Sequence, residues 1–159
     1  MNDAAVHVHA TAVLLGQVGV LIRGASGSGK SLLALALLDY CHSLGVGAAL
    51  VADDQVRLSR IGESLSMAAP ELLAGLIELR FRGIVSRAYQ SPVDLHLIVD
   101  LVPDPVRMPE ADAFCTDLLG VPVARAPVPQ GSLLDLGHQV LLVMEAVNTL
   151  GQPSGQNTT

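Results

Sequence analysis

Two stretches of the 159-residue chain combine residue types and spacings that can do chemistry. The first is GASGSGKS, Gly24 to Ser31, which meets the pattern G-x-x-x-x-G-K-[ST] at every required position. Gly24, Gly27 and Gly29 let a backbone curl, so that the loop's amides, those of Ala25, Ser26 and Ser28 among them, converge on phosphate oxygens. The positive end of the helix that follows adds to that attraction. Lys30 is spaced to reach the β- and γ-phosphates, and the Ser31 hydroxyl to bind Mg²⁺. Such a loop binds a nucleotide but leaves its reaction open, since hydrolysis, switching and phosphoryl transfer all use it. No Asn-Lys-x-Asp stretch is present to select guanine, and no Arg-rich lid segment of the kind that small-metabolite kinases close over their donor.

The second stretch is AALVADDQVRL, Ala48 to Leu58, where an apolar run ends in two adjacent acids, Asp53 and Asp54. Like charges side by side repel, so the pair has to be useful. The run reads as a buried strand, which puts the acids at its C-terminal end, where α/β sheets present ligands. Successive strand residues point to opposite sides, so one carboxylate can face a metal and the other an acceptor hydroxyl. Transfer to a protein hydroxyl would need such a base. The rival reading is that one of the two caps a turn, a frequent role for Asp.

The elements that must position these groups follow from the pattern. TAVLL (11–15) and GVLIR (19–23) flank Gly16-Gln17 and read as a hairpin leading into the loop. KSLLALALLDYCHSL, from Lys30 to about Leu44, is apolar almost all round and is stopped by Gly45 and Gly47, as a buried helix would be. VRLSR and ESLSM read as a second hairpin, and Pro70 opens a short helix over ELLAGL. IELR and GIVSR are strands or loop edges, LHLIVDLV (95–102) is a clear strand, and the proline-rich PDPVRMPE is a loop. The three prolines of VPVARAPVP demote it to an edge strand or an extended segment. SLLDLGHQVLLVMEAVNTL forms a last helix, interrupted or restarted near Gly137. The expectation is an α/β fold, a mixed β-sheet carrying a phosphate loop and flanked by helices. It occupies one domain over 1–150, with a disordered tail at 151–159, GQPSGQNTT.

Composition narrows the function. A formal net charge of -6, with arginines only in short pairs, argues against wide contact with nucleic acid. Hydrophobic residues make up 50% while aromatics are 3% and Trp is absent, so the core is aliphatic and some apolar surface is expected to be buried between subunits. Cys41 and Cys115 are far apart without metal-ligand spacing, which favours neither a disulfide nor zinc. The start lacks a basic region followed by an apolar one, and no apolar run is long enough to span a bilayer, so a soluble, cytoplasmic protein is expected.

Taken in order, these pieces resemble the catalytic domain of HPr kinase/phosphorylase, bacterial enzymes acting on a serine of the phosphocarrier protein HPr. The pieces are His9 in HATAVLLGQVGVLIRG, the loop GASGSGKS, VADDQV, IELRFRGI (77–84) and an arginine in PVRMPE. They run from about His9 to Pro129, and only the phosphate loop is common elsewhere. The resemblance implies that Asp54 accepts the serine proton in the forward reaction and returns it in the reverse, with Asp53 on the metal side or supporting the site. It implies that Glu78, in the place of the family's E-[IV]-R-G glutamate, binds Mg²⁺, that His9 is an active-site histidine, and that Arg107 is a catalytic arginine. The reverse reaction would take phosphate from phosphoserine with inorganic phosphate and release pyrophosphate. A homo-oligomer, a hexamer, is implied as well.

The chain departs from the family where Phe81 and then Arg82 precede Gly83 instead of a glycine following E-[IV]-R. YCHSLGVG also lengthens the stretch between Ser31 and Asp53, and the whole resembles a compact single-domain form. On the residues alone, His7 and His9 share one strand face as exposed side chains or a weak metal pair, and Arg80, Arg82 and Arg87 form a solvated basic edge. His42, His96 and His138 read as structural. The leading expectation is an ATP-dependent serine kinase of HPr. A nucleotide-binding regulatory module without transfer activity and a small-molecule kinase remain as alternatives.

Overall fold

The computed structural model describes residues 5–150, so the tail expected to be disordered lies outside the described residues. Strands β1 (Val6–Val8), β2 (Thr11–Leu15), β3 (Val18–Arg23) and β4 (Ala48–Ala52) surround helix α1 (Lys30–Ser43) in sequence. β2 and β3 form the expected hairpin around Gly16, whose φ of 62° suits a residue without a side chain. α1 ends where Gly45, at φ 72°, donates its N–H to the His42 carbonyl.

Beyond the acid pair come β5 (Val56–Ile61), β6 (Ser64–Ala68), a 3₁₀ turn over Glu71–Leu73, and the hairpin of β7 (Leu76–Leu79) with β8 (Gly83–Ser86). Then follow β9 (Val93–Asp94), β10 (Leu97–Val102), β11 (Cys115–Leu118), β12 (Val121–Pro129) and helix α2 (Leu136–Asn148). α2 starts later than expected: Asp135 caps it by accepting the His138 N–H at 2.8 Å, which leaves Ser132 to Leu134 outside.

The large sheet is mixed, in the order β11-β12-β10-β3-β2-β4, and a four-stranded antiparallel sheet β1-β5-β6-β9 lies beside it. Alternation along the strands sorts the core into two layers. Val20, Ile22, Leu97, Val99 and Leu101 pack with Leu33, Leu37 and Leu38 of α1 and Val140 and Val143 of α2. Leu21 and Ile98 point the other way, into a core shared with Leu58, Leu65 and Met67 of the smaller sheet. This is the expected α/β architecture. No helix among the described residues is long and apolar enough to cross a membrane.

β12 departs from expectation. It lies inside the sheet, parallel to β10 and antiparallel to β11, despite Pro122, Pro127 and Pro129. Donors alternate sides along a strand, so a proline is tolerated wherever no neighbour is present on the side its nitrogen faces. Pro122 pairs with Asp117 before the β10 ladder begins at Ala124, and Pro127 and Pro129 follow the end of β11.

Three ends meet at one edge of this sheet. β2 runs antiparallel between β3 and β4, with Thr11 opposite Ile22 and Ala12 opposite Ala52. The first residue of β2 is thus set between the C-terminal ends of β3 and β4, which carry the phosphate loop and the acid pair. A bulge at Val51, where the register shifts between Ala12 and Val13, turns the end of β4 just before Asp53.

Candidate active site

Gly27 and Gly29 hold φ values of 79° and 100°, the left-handed turns the loop needs ahead of α1. At Gly24 the constraint is space, since a Cβ there would meet Ser28 Oγ at 2.6 Å and Leu101 Cβ at 3.0 Å. The loop is also held from outside: Gly131, beyond β12, donates its N–H to the Ser28 carbonyl at 3.0 Å. No side chain caps the N-terminus of α1 and its first turn carries no acid, so its leading amides are free to meet an anion. Lys30 is buried, and its ammonium donates to the carbonyls of Gly24 (2.9 Å) and Ala25 (3.1 Å), leaving the third of its protons for another acceptor.

The two acids have separate surroundings. Asp53 Oδ1 accepts from Ser31 Oγ at 2.7 Å and from Thr11 Oγ1 at 2.9 Å, and its Oδ2 accepts the Glu78 N–H at 3.1 Å. Asp54 instead lies 2.5 Å from His9 Nε2 through Oδ1, both side chains largely exposed, and its backbone is left-handed at φ 67°. Neither acid is a simple turn cap. Asp53 ties the loop, β2 and β7 together, while Asp54 is largely exposed and meets an imidazole.

These groups line one pocket of about 450 Å³. Its walls include His9, Ser26, Gly27, Gly29, Lys30, Ser31, Asp53, Asp54 and Glu78. Gly24, Ala25 and Ser28 are not among the lining residues: Gly24 is half-buried, Ala25 exposed and Ser28 buried. Arg107 does not line it, being exposed on the proline-interrupted loop between β10 and the 3₁₀ turn Ala111–Phe114. His7 is in β1 opposite Arg57, and the strand ends at Val8, so His9 alone of the two histidines turns into the pocket. His42 and His96 are structural: His42 Nε2 meets the Ala48 carbonyl at 3.0 Å, and His96 Nδ1 accepts the Gly19 N–H at 2.9 Å.

Among the described residues no three His, Cys, Asp or Glu side chains gather as a metal cluster. Ser31, Asp53 and Glu78 nonetheless put three oxygen-bearing side chains in one pocket. That donor set fits a hard divalent cation of the magnesium type, which takes one or two carboxylates and completes its shell with water and phosphate oxygens.

Leu32, Leu79 and Thr11 also line the pocket and were not expected there, and Arg80, expected as a solvated basic edge, is exposed and lines it too. For Thr11 the one available signal was a hydroxyl opening an otherwise apolar strand. Phe81 stands fully exposed at the rim with φ 71°, in a turn closed by the Arg82 N–H on the Leu79 carbonyl.

Residues 3–102 match the family model described as HPr Serine kinase C-terminal domain. The chain is 35% identical over 158 residues to HPr kinase/phosphorylase of Aromatoleum aromaticum, covering 89% of this chain and 47% of that protein. It is 34% identical over 157 residues to HPr kinase/phosphorylase of Leptothrix cholodnii, covering 89% of this chain and 45% of that one. It therefore spans about half the length of these relatives. Among solved structures it is similar to the Hpr(Ser) kinase/phosphatase from Coxiella burnetii, at TM-score 0.70 and 28% identity, covering 90% of this chain and 94% of that one.

Proposed function

The chain belongs to the HPr serine kinase C-terminal domain family, and from that premise we propose that it transfers the γ-phosphoryl group of ATP to a serine of the phosphocarrier protein HPr. The observation that carries this reading is the division of labour between the adjacent acids, Asp53 bonded to the phosphate-loop serine and Asp54 to His9. A protein that only held a nucleotide would need the first alone.

In this reading the loop amides and Lys30 hold the β- and γ-phosphates. Ser31 and Glu78, with Asp53 in support, hold Mg²⁺, which when bound neutralises charge on the phosphate oxygens. The acceptor serine oxygen forms a bond to the γ-phosphorus, the bond from that phosphorus to the β,γ-bridging oxygen breaks, and ADP leaves. Asp54 takes the serine proton, and His9 keeps the carboxylate aimed. In reverse Asp54 returns the proton to the serine while inorganic phosphate accepts the phosphoryl group, giving pyrophosphate. Exposed apolar side chains, Leu72, Met108 and Leu141 among them, support assembly into a homo-oligomer, and the family resemblance is what suggests a hexamer.

The test is to incubate the chain with ATP, Mg²⁺ and HPr and to weigh HPr by mass spectrometry. A gain of one phosphoryl group that is lost in Asp54→Asn supports the reading. Tight ATP binding with unmodified HPr would favour a regulatory nucleotide-binding module instead, a reading that fully exposed Phe81 in place of the family's glycine gives some ground for. ATP consumption with a metabolite in place of HPr would favour a small-molecule kinase.

A further inference from the structure

Thr11 is fully buried at the start of β2, in a run whose other residues, Ala12 to Leu15, are apolar. A hydroxyl in such a place is unfavourable unless it is bonded, and its one bond goes to the site: Oγ1 donates to Asp53 Oδ1 at 2.9 Å. The same oxygen accepts from Ser31 Oγ at 2.7 Å. A carboxylate oxygen is an acceptor only, so both hydroxyl protons point at it. The Ser31 proton is then engaged, and its oxygen keeps its lone pairs on a side chain that lines the pocket. Oδ2 is fixed in turn by the Glu78 backbone N–H, at 3.1 Å. Three donors from β2, α1 and β7 thus lock the plane of one carboxylate.

We infer that Thr11 is a positioning residue for phosphoryl transfer: by fixing Asp53 it holds the Ser31 hydroxyl in the orientation that leaves its oxygen free for the cation. This rests on the kinase reading. Thr11 has no exposed surface and its hydroxyl is spent on Asp53, so it acts through that carboxylate. Without its hydroxyl, Oδ1 keeps one donor, the carboxylate can turn about its side-chain bonds, and Ser31 is no longer confined to one rotamer. The loop amides and Lys30 are untouched, so phosphate binding without a cation is unchanged. Loss of a group that orients a metal ligand typically costs about 10- to 100-fold in metal affinity or activity.

The test compares the native chain with Thr11→Val and Thr11→Ser. Binding of a fluorescent ATP analogue is titrated against Mg²⁺, and kcat and KM for HPr are measured on the same samples. Thr11→Val is expected to raise the Mg²⁺ concentration for half-maximal tight binding about 10-fold and to lower kcat by a similar factor. KM for HPr and Mg²⁺-free binding should be unchanged, and Thr11→Ser should restore both altered quantities. If Thr11→Val does not fold, Thr11→Ala removes the hydroxyl without asking for more room and carries the same comparison. Native-like Mg²⁺ dependence and kcat in a folded hydroxyl-free variant overturn the inference, as does a Thr11→Ser variant as impaired as Thr11→Val. A native chain that binds the analogue but transfers nothing overturns the kinase reading, while the Mg²⁺ titration still decides the role of Thr11. A native chain that binds no nucleotide overturns both.

Discussion

His9 and Asp54 meet across 45 residues of sequence through one short contact, Nε2 to Oδ1 at 2.5 Å, with the Asp54 backbone held left-handed. Aspartate and asparagine are among the few residues that enter that conformation readily. Asp54→Asn therefore keeps the backbone and the shape while removing the proton acceptor. It is expected to lower kcat for HPr phosphorylation by about 10²- to 10⁴-fold, the range associated with a general base, with ATP affinity and melting temperature little changed. Steady-state kinetics beside a nucleotide titration check this. A variant with more than a tenth of native kcat would remove Asp54 from the base role.

Phe81 is also left-handed, at φ 71°, but a bulky aromatic has no local bond to compensate and is fully exposed. The conformation costs a side-chain-bearing residue roughly 1–2 kcal/mol, and no packing repays it. Phe81→Gly is expected to stabilise the chain by about 1 kcal/mol, which raises the melting temperature by a few degrees at this size. Thermal unfolding read by circular dichroism is the check. A lower melting temperature would mean that the ring makes a contact worth more than the turn's strain.

The sequence was most readable where one local rule set the outcome. The phosphate loop, both early hairpins, α1 and β10 all follow from turn glycines and the placing of apolar runs. What escaped it depended on partners distant in sequence. Three prolines in β12 read as an edge, and only the staggered ends of β10 and β11 explain an interior strand. Within the site, the loop and acid pair were visible as motifs, and Asp53 could be expected to face a metal. That Asp53 would gather Thr11, Ser31 and the Glu78 amide depends on β2 running between β3 and β4. Arg107 shows the opposite limit: its place was inferred through a loop with no periodicity to fix it, and in the structure it lies outside the pocket lining.

Gly24 and Gly27 are glycines for different reasons, and substitution separates them. A methyl at Gly24 would press on Ser28 Oγ and Leu101 Cβ, whereas a methyl at Gly27 meets nothing within 4 Å but has to accept φ 79°. Gly24→Ala is expected to cost about 1–3 kcal/mol through overpacking and to weaken ATP binding by displacing Ser28 and the loop amides beside it. Gly27→Ala should cost about 1 kcal/mol from its backbone alone. Chemical unfolding and nucleotide titration of the two variants test the ranking. Equal losses at both positions would show that the Gly24 contact is relieved by a shift of Ser28.

Asp100, in β10, lies between two arginines: Arg23, at the mouth of the phosphate loop, bonds both its oxygens at 2.7 and 2.8 Å, and Arg125 bonds Oδ2 at 2.6 Å. Burial alone would raise the Asp100 pKa, but the hydrogen bonds and charges of Arg23 and Arg125 outweigh it and hold the carboxyl below its ordinary value. A carboxyl whose folded pKa is depressed contributes stability that is complete above its unfolded pKa and disappears as pH falls through the folded value. Asp100→Asn is therefore expected to destabilise the chain by about 2 kcal/mol at neutral pH, where it leaves two guanidinium groups facing a neutral amide. The difference between variant and native should narrow as the pH drops below the ordinary carboxylate range, because the native chain then loses the same charge. Urea unfolding of both proteins from neutral pH into acid reads that difference directly. A gap that stays constant with pH would mean that the three side chains hold together by shape and hydrogen bonding, with no net contribution from the Asp100 charge.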